Sequence, residues 1–600
     1  MGAVLKLPKV QIPVRQYFGL LEEYLKPQRV SVILMAVCLL VSVGLQLLNP
    51  QIVRFFMDTA QRGGAQSELV KAAAVFIGAS FFQQVLNVAA TYFSTRVGWT
   101  ATNALRANLA EHCLKLDLSF HKARTPGELI ERVDGDVSTL AAFFSNLSIH
   151  LGGNVLLLLG VLVVMFLEDW RIGLSLTGFS ILAMLVLSRV RNLGTPYWKA
   201  VREQNATFFG FIGEQLSGTE DIRSSGATQY VMRSFFERLR TWYPVVWRSN
   251  MLGGSMWVVF EILMAIGTAL AFGVAAPLYQ NKVISLGTVY LIYQYTRLLA
   301  EPLDQIRNQL QELQRADAGI SRVTELLATS SKLIDGSGAN WSDRALEVEF
   351  RGVHFGYEDD AKPEKPLEIS TPEKVLENIS FKLEAGKVLG LLGRTGSGKT
   401  TLARLMLRFY DPQHGEIRLN GIPLTAAKLE EVRSRVTLVT QNVELFQASI
   451  RQNLSFFDEA VSDARIWLAL EELGLHDWVR NLPKQLDTEL SSANLSAGEA
   501  QLLAFTRVFL RNPSIIILDE ASSRLDPATE ALLERAVTKL LKGRTAIIIA
   551  HRLQTILRSD EILILEDGKM LEHGSTKILG NDPNSRFAQL RRTGLEEVLV

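Results

Sequence analysis

The chain has 600 residues, 48% of them hydrophobic and 21% charged, and its 63 Lys and Arg against 62 Asp and Glu leave a formal net charge of +1. At ~100–200 residues per domain this is more than one domain, and the near-zero charge excludes a nucleic-acid binder held by phosphate neutralisation. Two cysteines, Cys38 and Cys113, exclude a disulfide scaffold and a four-thiolate metal site and read as small apolar packing residues.

The opening stretch lacks the basic start and directly following apolar run of a signal peptide. From Val14 to Tyr24, apolar Tyr17, Phe18, Leu20, Leu21 and Tyr24 recur at helical spacing beside Glu22 and Glu23. That pattern predicts an amphipathic helix on the membrane face, within an N-terminal segment 1–28. Residues 29–320 then carry six apolar runs, near Val30–Leu48, Leu69–Tyr92, Ile149–Leu167, Ile172–Leu187, Met251–Tyr279 and Leu286–Leu299. A helix of ~20 residues crosses the hydrocarbon layer. Core helices of a soluble protein do not supply six such runs in one half of a chain, so the runs predict a helical membrane domain with six spans. The last run is interrupted by Tyr290, Tyr293, Tyr295 and Arg297.

Basic residues set the orientation. Arg96, Arg106, Lys115, Lys122, Arg124 and Arg132 lie between spans two and three; between spans four and five lie Arg189, Arg191, Lys199, Arg202, Arg223, Arg233, Arg238, Arg240 and Arg248. Both connections, and both termini, are expected in the cytoplasm. Ala101–Leu116 and Val201–Leu216 continue at helical period without Pro, so the spans should run well beyond the bilayer. Breaks are expected at Ser119-Phe120-His121-Lys122 and at Gly218-Thr219-Glu220-Asp221.

A polar linker, 321–344, is punctuated by Ser330, Ser331, Gly336, Ser337 and Gly338, and β-rich text opens a last domain, 345–600. There a strand, Lys387–Leu392, runs into Gly393-Arg394-Thr395-Gly396-Ser397-Gly398-Lys399-Thr400-Thr401 and then a helical pattern to Phe409. Strand, Gly-rich turn and helix are the context that turns this match into a phosphate-binding loop. The glycines let N–H groups converge on phosphate oxygens, and the helix N-terminus adds partial positive charge. Lys399 is positioned for the terminal phosphates of ATP and the Thr400 hydroxyl for Mg²⁺. A second apolar strand, Ser514–Leu518, ends in Asp519 and Glu520. Asp519 can hold Mg²⁺ through water, and Glu520 can orient the attacking water. A third strand, Thr545–Ile549, leads to His551, placed to bond a γ-phosphate. The fold class is therefore an all-α polytopic membrane domain followed by an α/β P-loop ATPase domain.

The spacing from GRTGSGKT through Gln441, LSAGE, ILDE and His551 resembles the nucleotide-binding domain of ATP-binding-cassette (ABC) transporters. With the membrane half in front, the whole chain resembles an exporter-type half-transporter. LDLSFHKARTPGELIERVDGDV is similar to the family's first coupling-helix region, and PLDQIRNQLQELQRADAGISRVTELL to its passage from the last span into the linker. The resemblance implies that Tyr357 stacks on adenine and that Gln441 touches Mg²⁺ and the attacking water. It implies that Ser496 and Gly498 of the signature cap the γ-phosphate bound to a partner subunit. The resemblance likewise places Arg524-Leu525-Asp526 in the loop that crosses the dimer interface.

The chain departs from that pattern at Ala497 and Glu499, where Gly and Gln are usual, at Arg524, and in an extra polar segment, Asp359–Glu373. A carboxylate at Glu499 weakens nucleotide binding if it faces the phosphates and is neutral if it faces solvent. An intact catalytic set beside a weakened signature favours a heterodimer with a second half-transporter, a homodimer being the alternative. The expected activity is ATP-driven export of a lipid, drug-like amphiphile or peptide across a bacterial inner or plasma membrane. The competing reading is an ATP-gated channel or regulatory subunit, and no nucleic-acid module is expected. Within the spans, Gln83, Gln84, Asn87, Glu261, Tyr290 and Tyr293 are polar or amphipathic, and Glu261 is expected to face the bundle interior rather than lipid.

Overall fold

The computed structural model describes residues 24–146, 151–341, 345–357, 373–440, 443–490, 495–519, 527–549 and 556–593. The chain divides into two compact units, Met1–Leu114 with Gly127–Thr329, and Lys115–Pro126 with Ser330–Val600. Most of the expected amphipathic helix at Val14–Tyr24 lies outside the described residues.

The first unit is built from α1 (Arg29–Gln61), α2 (Gln66–Lys115), α3 (Gly153–Glu168), α4 (Trp170–Ser217), α5 (Thr228–Gln280), α6 (Leu286–Leu298) and α7 (Ala300–Ala328). Four helices among the described residues, those containing α1, α2, α4 and α5, are long and apolar enough to cross a membrane. The other two expected spans are shorter, with α3 at 16 residues and α6 at 13. The third run was expected from Ile149, but residues 147–150 lie outside the described residues; the sixth resumes as α7 after Leu299. At 1.5 Å per residue the 50-residue α2 is about 75 Å long, more than twice a ~30 Å hydrocarbon layer. The continuous helices therefore extend past a bilayer, as their unbroken helical period predicts. Leu157, Val161, Met165, Ile172, Leu176, Ala275, Leu291 and Tyr295 form a core where α3 to α6 meet. Ile77, Phe81, Leu159, Leu167, Leu174 and Leu185 stay exposed, the surface a lipid solvent requires.

Both expected breaks are themselves short helices. Leu118–Lys122 is one turn whose N-cap, Asp117, accepts the Phe120 N–H, and Thr219–Ser224 follows Gly218. The interruptions fall on the residues around these turns. An acceptor at Asp117 satisfies an otherwise orphaned helix N–H, which lets so brief a helix form.

The second unit holds a six-stranded sheet and a four-stranded antiparallel sheet. The larger has the order β10-β9-β3-β8-β7-β6, with β3 (Val388–Gly393), β6 (Val436–Val439), β7 (Ile515–Asp519), β8 (Thr545–Ile549) and β9 (Glu561–Glu566) parallel and β10 (Lys569–Ser575) antiparallel. The smaller contains β1 (Val348–Tyr357), β2 (Glu373–Leu383), β4 (His414–Leu419) and β5 (Ile422–Pro423). Strand alternation divides the interior. Ile516, Leu518, Ile548, Ile562 and Ile564 enter one core with the helices Asp463–Glu472 and Ala497–Arg511, whereas Ile515, Ile517, Ile547, Ile549, Leu563 and Leu565 enter another with the smaller sheet. Strands packed on both faces read as continuous apolar text, which is why IIIL and TAIII carry no polar alternation. Two residues on the smaller sheet, Phe350 and Phe381, stack at 4.7 Å across the β1–β2 pair.

Candidate nucleotide-binding site

Parallel pairing brings the predicted motifs to one edge. Leu391 of β3 lies opposite Ile549 of β8, and Ile549 opposite Asp519 of β7. The turn after β3 and the carboxyl ends of β7 and β8 therefore lie in neighbouring positions. Ligands of open α/β sheets bind at such carboxyl ends.

The turn after β3 is shaped by glycine. Gly393, Gly396 and Gly398 have φ of +151°, +87° and +102°. A Cβ on Gly393 would lie 2.3 Å from the Leu565 carbonyl oxygen and 2.5 Å from Ser397 Oγ, so a side chain there meets backbone. The turn delivers α8 (Lys399–Met406) with its N-terminus at the loop. Lys399 is buried and folded back, its Nζ donating to the Gly393 and Arg394 carbonyls at 2.6 and 2.9 Å. Ser397 Oγ is buried without a hydrogen-bond partner among the described residues. A buried hydroxyl is costly to leave unpaired, and an oxyanion could supply the acceptor it lacks. Thr400 and the loop residues Arg394, Thr395 and Gly396 are exposed, and Asp519 is half-buried at the end of β7.

Tyr357 ends β1. Its hydroxyl lies 3.0 Å from Thr401 Oγ1 and accepts from Arg404 Nη1 at 3.1 Å, while Phe355 and Tyr410 meet its ring nearly perpendicularly. Arg404 carries no motif, so its contact with Tyr357 was not readable from the sequence; its position one turn after Thr400 was the only signal. Burial pushes the Tyr410 phenol above its ordinary pKa.

The signature forms the N-terminus of α9 (Ala497–Arg511). Ser496 is its N-cap: its hydroxyl donates to Glu499 Oε2 at 2.8 Å and accepts the Glu499 N–H at 3.2 Å, and its own N–H donates to Oε2 at 2.9 Å. Glu499 thus turns back onto Ser496. Gly498 is buried behind it. Gln441, Glu520, His551 and Arg524-Leu525-Asp526 lie outside the described residues, as does most of the Asp359–Glu373 segment.

Within the membrane unit the polar residues separate. Gln83 accepts from Asn49 at 2.7 Å, Tyr290 accepts from Gln294, and Tyr293 stacks on Phe272 at 5.8 Å. Gln84, Asn87 and Glu261 are exposed. Glu261 is thus not enclosed by this chain's own helices.

Two family models match the chain: the ABC transporter transmembrane region over residues 32–303 and the ABC transporter domain over residues 376–523. The chain belongs to the ABC transporters, with membrane and ATPase domains in one polypeptide. It is similar to a multidrug resistance ABC transporter ATP-binding and permease protein of Lactococcus lactis subsp. lactis (strain IL1403), 27% identical over 92% of this chain and 91% of that protein. It is similar also to an ATP-dependent lipid A-core flippase of Ralstonia nicotianae, 28% identical over 96% of each. Its structure resembles a bacterial Atm1-family ABC exporter with ATP bound, with a TM-score of 0.76 and 25% identity over 94% of this chain and 98% of the other. It is an exporter-type half-transporter of the bacterial inner or plasma membrane that uses ATP hydrolysis for export.

Proposed function

We propose that the loop from Gly393 to Thr401 binds the triphosphate of ATP and that nucleotide closes two ATPase domains on each other, shifting the spans from inward-open to outward-open. The observation that carries this reading is the buried, unpartnered Ser397 Oγ inside a glycine-shaped turn. Lys399 exchanges its two loop carbonyls for phosphate oxygens, a charge-assisted contact stronger than the ones it leaves. Tyr357 offers its ring to adenine. Mg²⁺ fits the hard oxygen donors available, the exposed Thr400 hydroxyl and the Asp519 carboxylate, with Gln441 as a further oxygen. The ion would neutralise phosphate charge there. Glu520 acts as the base that orients water, and His551 bonds the γ-phosphate. To invert a 1:99 conformational bias, nucleotide must favour the closed state by ~5.5 kcal/mol, within reach of several charge-assisted phosphate contacts.

The second chain is proposed to be a different half-transporter. Ser496 and Gly498 form the signature offered to that partner's nucleotide, and the carboxylate tied to Ser496 weakens it. The hydrolytic site then pairs this chain's phosphate loop with the partner's signature. The cargo is a lipid, drug-like amphiphile or peptide, a reading supported by relatives named for multidrug resistance and for lipid A-core flipping. An exposed Glu261 on a membrane helix is costly against lipid, which supports a place facing the partner or a wet cavity.

Affinity purification from native membranes tests the assembly: a one-to-one complex with another half-transporter is expected, and a complex of this chain alone overturns the heterodimer. In proteoliposomes, Lys399→Ala should remove ATP binding at this chain's site. Glu520→Gln should leave binding intact and slow hydrolysis by roughly 10²–10⁴-fold. Unchanged hydrolysis in both variants, with the partner's site disabled, overturns the assignment.

A further inference from the structure

The short helix Leu118–Lys122 is held at both ends within the ATPase unit. At its start, Asp117 accepts from the Phe120 N–H at 3.1 Å, from the Lys332 N–H at 2.7 Å and from the Ser119 hydroxyl. Lys332 lies three residues beyond Thr329, the last residue assigned to the membrane unit, so the hairpin tip is tied to the linker. At its end, the Lys122 ammonium sits 3.9 Å from the centroid of the Tyr357 ring. A cavity of about 250 Å³ opens beside them, lined by Ser119, Lys122, Tyr357, Phe409, Tyr410 and Gln413.

Tyr357 cannot swing freely to make room. Its hydroxyl is engaged with Thr401 and Arg404, both on the segment that begins at the phosphate loop, and two perpendicular rings crowd its flanks. A stacked base needs a face of this ring, and Lys122 stands over one. A cation over an exposed aromatic face is the weaker contact and a stacked base the stronger. A base stacking on that face must displace the lysine and gives up part of its gain in doing so.

We propose that Lys122 and the adenine ring of ATP compete for one face of Tyr357, so that base binding frees the C-terminal anchor of the hairpin tip. Lys122 is a positioning residue that makes engagement of the membrane hairpin depend on the base as well as on the phosphates. The proposal rests on Tyr357 being the base-stacking residue. Because the ammonium discriminates by ring contact, its removal must favour a strongly stacking purine over a weakly stacking pyrimidine.

The test uses the full-length assembly in proteoliposomes, with hydrolysis of ATP and of UTP measured for the parent, Lys122→Met, Lys122→Arg and Tyr357→Ala. Loss of the competing cation should lower the KM for ATP about two- to fivefold, leave kcat unchanged and move the KM for UTP far less. Lys122→Arg should stay near the parent, since guanidinium also covers a ring face. An unchanged or raised KM for ATP in Lys122→Met, or equal shifts for the two nucleotides, overturns the competition. Tyr357→Ala separates the two claims. If it leaves the KM for ATP unchanged, the stacking assignment itself fails; if it raises that KM while Lys122→Met does nothing, only the competition fails.

Discussion

Ser496 and Glu499 are locked together, the hydroxyl of the first donating to the carboxylate of the second while accepting its backbone N–H. The pair stabilises its own helix, because an acidic group in the first turn complements the dipole by ~0.3–1 kcal/mol. Under the proposed assignment of Ser496 to a partner's nucleotide, the same side chain stands beside the donor offered to the γ-phosphate. Local stability and nucleotide recognition pull in opposite directions at this position.

Replacing Glu499 with Gln should therefore separate the two. The amide retains the cap geometry but removes the charge, so nucleotide affinity at the site using this signature should rise about threefold to tenfold. Thermal stability should fall slightly. Nucleotide titration of the assembly, with the other site disabled by its own phosphate-loop lysine, reads the change; lower affinity in Glu499→Gln contradicts it.

Asp117 makes a pH prediction. Burial raises its pKa, but hydrogen bonds from Ser119, Lys332 and Phe120 and the nearby Lys332 charge outweigh that and hold it below the ordinary carboxylate value. A depressed folded-state pKa contributes stability above the unfolded value of ~3.9 and loses it as pH falls through the folded value. Hydrogen-exchange protection at residues 115–126 should thus hold between pH 8 and 5 apart from the intrinsic exchange rate. Asp117→Ala should weaken it by about 1–2 kcal/mol throughout that range, the cost of a lost cap.

Gly393 and Gly396 should respond differently to alanine. At Gly393 the new Cβ meets the Leu565 carbonyl at 2.3 Å, while at Gly396 nothing lies within 4 Å. Both substitutions strain a positive φ, worth about 1–3 kcal/mol, but only Gly393→Ala must also displace backbone of β9. Thermal unfolding should rank Gly393→Ala well below Gly396→Ala, with ATP binding lost in the former.

Arg322 and Asp136 form a two-pronged pair within the membrane unit, one bond being 2.8 Å, with Asp136 nearly enclosed and Arg322 47% exposed. Removing one partner of an enclosed pair costs ~3–5 kcal/mol. Screening at the exposed guanidinium reduces this, so Arg322→Met should cost about 2 kcal/mol. Double substitution with Asp136→Leu should recover most of it, measured by unfolding in detergent.

The sequence alone determined the helical membrane half, the parallel strands IIILD and TAIII, and the glycine-shaped turn after β3. Each depends on short-range physics: apolar length against bilayer thickness, burial on both faces of a strand, and glycine at positive φ. Tertiary structure decided what those patterns leave open. The turn Leu118–Lys122 exists because Asp117 caps it and Lys332, more than two hundred residues later, shares that carboxylate. Glu499 could be read as a charge but not as a direction, since a side chain's orientation is set by the partners the fold supplies. Lys122 was legible as a basic residue in an expected break, within a segment resembling the family's first coupling-helix region, but not as a neighbour of Tyr357. Its place over Tyr357 arises from bringing together two segments far apart in the chain, and no periodicity or motif within either segment encodes that meeting.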